Sequence, residues 1–149
     1  MVKRSISFIL LLVLLMTGCS TGEENNASAP AIEQYSWQMT SVQSKEAEGQ
    51  AIAYGPAGTS TLDTAVEIIL SCSAEEGKLL LTDETNGNAY SGIYELTDTS
   101  QESVIYEVTI GETEGMAITS MTIYQDGCQI PTLIISLNDY ALNFFADIE

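Results

Sequence analysis

The chain has no histidine. That absence excludes the Ser-His-Asp triad, the Cys-His pair and every His-ligated zinc site. Basic side chains are nearly as scarce: 4 Lys and Arg stand against 21 Asp and Glu, a formal charge of −17. A body this acidic repels phosphate, which argues against nucleic acid as a partner. Ser-Lys chemistry is missing too, because no Ser lies three residues before Lys45 or Lys78. The Gly-rich run Gly55-Pro56-Ala57-Gly58-Thr59-Ser60 lacks the Lys of a phosphate loop. No helix with a basic face is available for a membrane surface.

What is present begins with an export pattern. Lys3 and Arg4 form a positive start, and residues 6–16 are an 11-residue apolar stretch broken only by Ser7. A spanning helix needs about 20 residues, whereas 7–15 suits the apolar core of a signal peptide. The stretch ends in Met16-Thr17-Gly18-Cys19-Ser20. Small residues before a Cys let a peptidase reach the backbone, and the thiol can carry a lipid. This segment resembles the lipobox of bacterial lipoproteins, with Met16 where Leu is usual. The resemblance implies diacylglyceryl modification of Cys19 and cleavage before it. Residues 1–18 are then a lipoprotein signal peptide, and the protein is held on the outer face of the cell membrane, or on the periplasmic side in a two-membrane host. Two or more acyl chains, at about 0.8 kcal/mol per buried CH₂, make such an anchor durable. Loss of Lys3 and Arg4 leaves Lys45 and Lys78 against all 21 acids, a formal −19.

Residues 19–34 are expected to be the lipidated Cys and a flexible tether, too polar and small to repay ordering. As a coil, the 15 residues after Cys19 reach about 20 Å. Residues 35–149 are expected to be one domain. There, period-2 patterning dominates: Val104, Tyr106, Val108 and Ile110 alternate with Ser103, Ile105, Glu107 and Thr109. Turn signals recur about every 10–14 residues, the cadence of an antiparallel meander. Asp126-Gly127 is the sharpest, and predicts a type I′ hairpin. The expected strands are 35–43, 50–54, 65–73, 78–84, 89–96, 103–110, 115–125, 128–137 and 140–147. Residues 55–64 read as a loop, with Ser60-x-x-Asp63 in capping-box form. The fold class is all-β, an up-and-down meander of 8–9 strands. Closing it into a small barrel removes exposed edges, with the last strand pairing the strand of Trp37. An open β-sandwich is the alternative.

A Trp in the first strand after a polar leader, a meander of short strands and an apolar-aromatic closing strand resemble calycin or lipocalin-like barrels. The similarity covers about residues 35–147.

Candidate residues follow. Cys72 and Cys128 could pair outside the cytoplasm; that bridge would close 56 residues and contribute about 4 kcal/mol. The competing reading is two free thiols. Asp83-Glu84-Thr85-Asn86-Gly87-Asn88 faintly resembles a calcium loop, but Gly87 and Asn88 sit at the wrong positions and Tyr94 stands where a Glu is needed, so a hairpin turn is expected. No carboxylate pair stands out as a glycosidase site. Trp37, Met39, Tyr94, Tyr106 and Tyr124 are candidates for the barrel lining, as packed core or around one small ligand. No metal or cofactor is expected, and the chain is read as non-enzymatic. The expected function is a lipid-anchored extracytoplasmic binding or interaction module, with a small apolar molecule in the barrel as one version. The alternatives are an acidic inhibitor or decoy for a cationic protein such as lysozyme, and a surface structural protein without a discrete ligand.

Overall fold

The computed structural model describes residues 27–44, 51–53 and 69–148. The alternating pattern becomes nine strands: β1 (Trp37–Ser44), β2 (Ala51–Ala53), β3 (Leu70–Glu75), β4 (Lys78–Asp83), β5 (Ala89–Thr99), β6 (Ser103–Ile110), β7 (Thr113–Ile123), β8 (Gln129–Ser136) and β9 (Tyr140–Ala146). Strands β3 to β9 pair in chain order, each antiparallel to the next. β1 closes the ring, pairing with β9 along its length and with β3 at Trp37 and Gln38. The result is an eight-stranded closed meander barrel, with the short β2 laid beside the later half of β1. This is the architecture of small lipocalin-like barrels, and it sets aside the open sandwich. Residues 65–68 of the expected third strand, and the 55–64 loop with its Ser60-x-x-Asp63 form, lie outside the described residues.

One hairpin differs from the sequence expectation. The turn at Asp126-Gly127 is not type I′, because Asp126 does not take positive φ. Gly127 alone does, at 81°, and its N–H donates to the Tyr124 carbonyl while Tyr124 N–H donates to Cys128. That is a three-residue loop with glycine in the left-handed position. The two-residue turn with positive φ at both centres is instead Glu76-Gly77, at 49° and 78°.

Residues directly opposite in an antiparallel pair share a face. Trp37 stands opposite Cys72 and Ala146, Met39 opposite Phe144, Phe144 opposite Leu133, and Leu133 opposite Thr119. All but Ala146, which is half-buried, are buried, so this row fills the barrel. Two inward positions are glycine for want of space. A Cβ on Gly92 would sit 2.5 Å from the Thr109 carbonyl oxygen, and one on Gly115 would sit 2.4 Å from that of Ser136. Both let neighbouring strands approach closely and the sheet coil.

The barrel has a near end, where the chain enters β1 and where the turns at 76–77, 100–102 and 125–127 lie. The far end carries the turns at 84–88, 111–112 and 138–139. The near end is plugged by its own leader, a difference from the tether expected through residue 34. Residues 32–34 form a 3-10 turn with Ile32 fully buried among the core side chains. The folded body therefore starts near Ala29, whose N–H donates to the Gln101 carbonyl at 3.0 Å. A single apolar side chain and several interior hydroxyls order a segment too polar to order itself.

Truncating the plug is expected to cost the whole domain. Ile32→Ala should lower unfolding free energy by about 2–5 kcal/mol, the range for a buried aliphatic cut to Ala. Urea unfolding read by Trp37 fluorescence checks it; a change below 1 kcal/mol would mean that the plug is peripheral to the fold.

Candidate functional site

Four of the five candidate lining residues face inward. Trp37, Met39, Tyr94 and Tyr106 are all buried. The Tyr94 and Tyr106 rings meet edge to face at 5.6 Å. Tyr124 does not join them. It lies past the end of β7, is exposed, and packs its ring on Phe145, which is opposite the outward-facing Thr132. Its assignment to the lining is corrected: Ala117, Thr119 and Ile123 take the inward positions of this run, so Tyr124 falls on the outer side.

The interior polar groups are spoken for by the plug. The Trp37 indole Nε1–H donates to the Ile32 carbonyl at 2.8 Å, and the Ile32 N–H donates to the Tyr106 hydroxyl at 3.0 Å. The Thr119 hydroxyl donates to the Pro30 carbonyl at 2.5 Å, and the Tyr94 hydroxyl donates to Glu33 Oε1 at 2.5 Å. Burial raises the Tyr94 hydroxyl pKa to about 12, with the Glu33 bond adding to the shift. Burial raises that of Tyr106 as well. Sequence reading found Tyr94 and Tyr106 but missed Pro30, Ile32, Glu33 and Thr119. The one available signal was Ile32, a lone large aliphatic in a polar leader.

The two cysteines are free, so of the two readings the structure has the separate thiols and not the bridge. Cys72 points into the core against Trp37, while Cys128 is exposed at the β7–β8 turn. Burial pushes the Cys72 thiol up to about 12. Cys19 lies outside the described residues. The acidic loop 83–88 is a hairpin connection: buried Asp83 accepts from the backbone N–H groups of Thr85 and Asn86 through Oδ1, and from the Asn86 side chain through Oδ2 at 2.8 Å. The Asn86 amide, aided by those backbone bonds, holds the Asp83 carboxyl below the usual carboxylate range. Its oxygens are turned into the loop. Among the described residues, no group of three or more Cys, Asp or Glu is placed to hold a metal ion.

The outer wall carries the charge. Glu95 on β5 lies directly opposite Glu107 on β6, and Glu107 lies opposite Met116 on β7. Like charges facing each other across a ladder destabilise it. Beside them, Glu107, Thr109, Glu114 and Met116 border a groove of about 430 Å³ over the glycine at 115. Below it, Ile105, Ile118 and Ile134 form one outward row across β6, β7 and β8. Carboxylates around the groove beside an apolar row suit a cationic, partly apolar surface. Scattered through the sequence, these glutamates looked like a solvated face; the register brings them together. No family model matches the chain, and no curated protein or solved structure matches it either.

Two measurements test this geometry. In a Cys19→Ala variant, one thiol, Cys128, should react with an aromatic disulfide reagent in native buffer, and Cys72 should react only after unfolding. Equal rates would break the assignment of Cys72 to the core. Alkali should also weaken the fold. Folded Cys72 and Tyr94 keep their protons to about pH 12, whereas the unfolded chain loses them from their ordinary values of 9.0 and 10.0. The stabilisation is complete below those ordinary values and is lost as pH rises from 9 to 12. The urea midpoint should fall across that window, less steeply in Cys72→Ala.

Proposed function

We propose that the protein is exported, anchored through lipid on Cys19, and acts as an interaction module that captures a cationic protein or peptide on its outer wall. The observation that carries this reading is the Glu95–Glu107 cross-strand pair beside the Glu114 groove. A facing pair of like charges costs stability, and a counter-charged partner relieves that cost. The apolar-ligand version has less to support it. Trp37, Phe144 and Ile32 occupy the barrel interior, and the leader stoppers one end of it. The formal −19 of the chain beyond residue 18 adds long-range attraction for basic partners, which speeds encounter at low salt. Recognition in this reading is non-catalytic: carboxylates supply charge, and the isoleucine row supplies apolar contact.

The test has two parts. Radiolabelled palmitate should mark the wild type and not Cys19→Ala; equal labelling would end the anchoring claim. Lysozyme, as a cationic probe, should bind at low salt and release at high salt. A Glu95→Gln, Glu107→Gln, Glu114→Gln triple variant should bind it more weakly. At about 0.2–1 kcal/mol per exposed pair, the loss is roughly 3- to 150-fold. The same variant should unfold at equal or higher urea, because the facing charges are gone. Lysozyme binding that is absent at low salt, or unchanged in the triple variant, would sink the reading and leave a structural surface protein.

A further inference from the structure

The hairpin of β7 and β8 outgrows the barrel at the near end. β6 pairs with β7 no further than Ser120, and β9 pairs with β8 no further than Thr132. Beyond those residues, Met121–Pro131, Thr122–Ile130 and Ile123–Gln129 are paired strand to strand within the hairpin, with no third strand among the described residues. Three pairs at about 3.4 Å per residue carry the turn about 10 Å past the rim. An isolated two-stranded ribbon is marginal in water, and this one exposes a large apolar or aromatic side chain on each side. Ile123 faces the barrel axis and is 59% exposed, across a cleft of about 420 Å³ that keeps it from the Gln101-Glu102 turn. Tyr124 is 40% exposed on the other side.

The chain supplies the reason. Ala27 N–H donates to the Gln129 side chain, so the leader leaves the fold beside this hairpin. Cys19 is eight residues further back. Eight residues fully extended span at most about 28 Å. A lipid on Cys19 would therefore bring the near end, where the leader leaves the fold, toward a bilayer.

We infer that the β7–β8 hairpin is a second membrane contact, which seats Ile123 and Tyr124 in the headgroup region and turns the far end of the barrel outward. Tyr suits that depth, with an apolar ring and a polar tip. The tip carries one carboxylate, Asp126, whose Oδ1 accepts from the Cys128 N–H at 2.9 Å. With the near end fixed on the membrane, the barrel stands upright and its acidic wall faces sideways into the medium. This inference rests on the anchoring of Cys19 proposed above.

Cys128 gives the test its probe, because it is exposed, Cys72 is buried and Cys19 carries the lipid. The full lipidated protein, labelled at Cys128 with an environment-sensitive nitrobenzoxadiazole dye, is bound to phosphatidylcholine vesicles. The dye emission should shift to the blue and be shielded from aqueous iodide. The Ile123→Ser, Tyr124→Ser double variant should still sediment with vesicles but lose the shift and the shielding. Wild type that sediments while its dye stays aqueous would overturn the hairpin contact and leave the anchor standing. Protein that fails to sediment would remove the anchor, and the inference with it. A blue shift retained in the double variant would assign the effect to the dye and also overturn the contact.

Discussion

The structure turns on where the Trp37 indole sits. It lies at the seam where β1 meets β3 through two residue pairs, Trp37–Cys72 and Gln38–Ser71. A seam that narrow needs a large side chain beneath it. Trp37 is fully buried there and packs Tyr35 edge to face at 5.7 Å. Fully burying such a ring contributes about 3 kcal/mol or more. Its N–H cannot be left unpaired in that setting, at a penalty of about 1–3 kcal/mol. The Ile32 carbonyl, five residues back, takes it. Closing the sheet and folding the leader inward are thus one event.

The interior hydroxyls make the same demand. Tyr106, Thr119 and Tyr94 stand on β6, β7 and β5, and each finds its partner on residues 30–33. Remove that segment and three polar groups would face an apolar interior. A solvated tether would be decoupled from the fold. A plugged barrel couples leader and core, because pulling on one pulls on the other. The proposed lipid on Cys19, eight residues before Ala27, would then lie toward the near end.

The strands were legible because one face of each is buried, so a period of two is written into the residues. β6 runs from Ser103 to Ile110, as its alternation alone places it. The last strand also meets the first, as the need to remove edges requires. The plug was not legible: its order comes from hydroxyls on distant strands, and its own residues show only Ile32 among Pro, Ala, Glu and Gln. Tyr124 was misplaced because β7 carries apolar and polar residues on both faces, Ala117 and Thr119 inward, Ile118 and Ser120 outward, so its alternation does not say which face is buried. The turn at Asp126-Gly127 was mistyped because Asp-Gly suits more than one loop, and only the Tyr124–Cys128 pairing decides which. Cys72 and Cys128 show the same limit. Spacing says that two thiols belong to one domain, whereas burial on one side of the wall and exposure at a turn tip keep them apart.

The outer wall breaks a local rule that the interior keeps. Inside, each named polar group has a partner. Outside, Glu95 faces Glu107 when a Thr or Lys at either position would make a better ladder. Departures of this kind concentrate where a surface serves something other than its own stability. The isoleucine row beside the pair strengthens the point. Ile105, Ile118 and Ile134 occupy outward positions, whereas the outward row next to them, Ser103, Ser120 and Thr132, is polar and joined by a hydroxyl hydrogen bond between Ser120 and Thr132. Acid around the groove and isoleucine beside it contribute little to a barrel already filled by Trp37 and Phe144. Both are features that the proposed basic, partly apolar partner would use if it lay across β5 to β8.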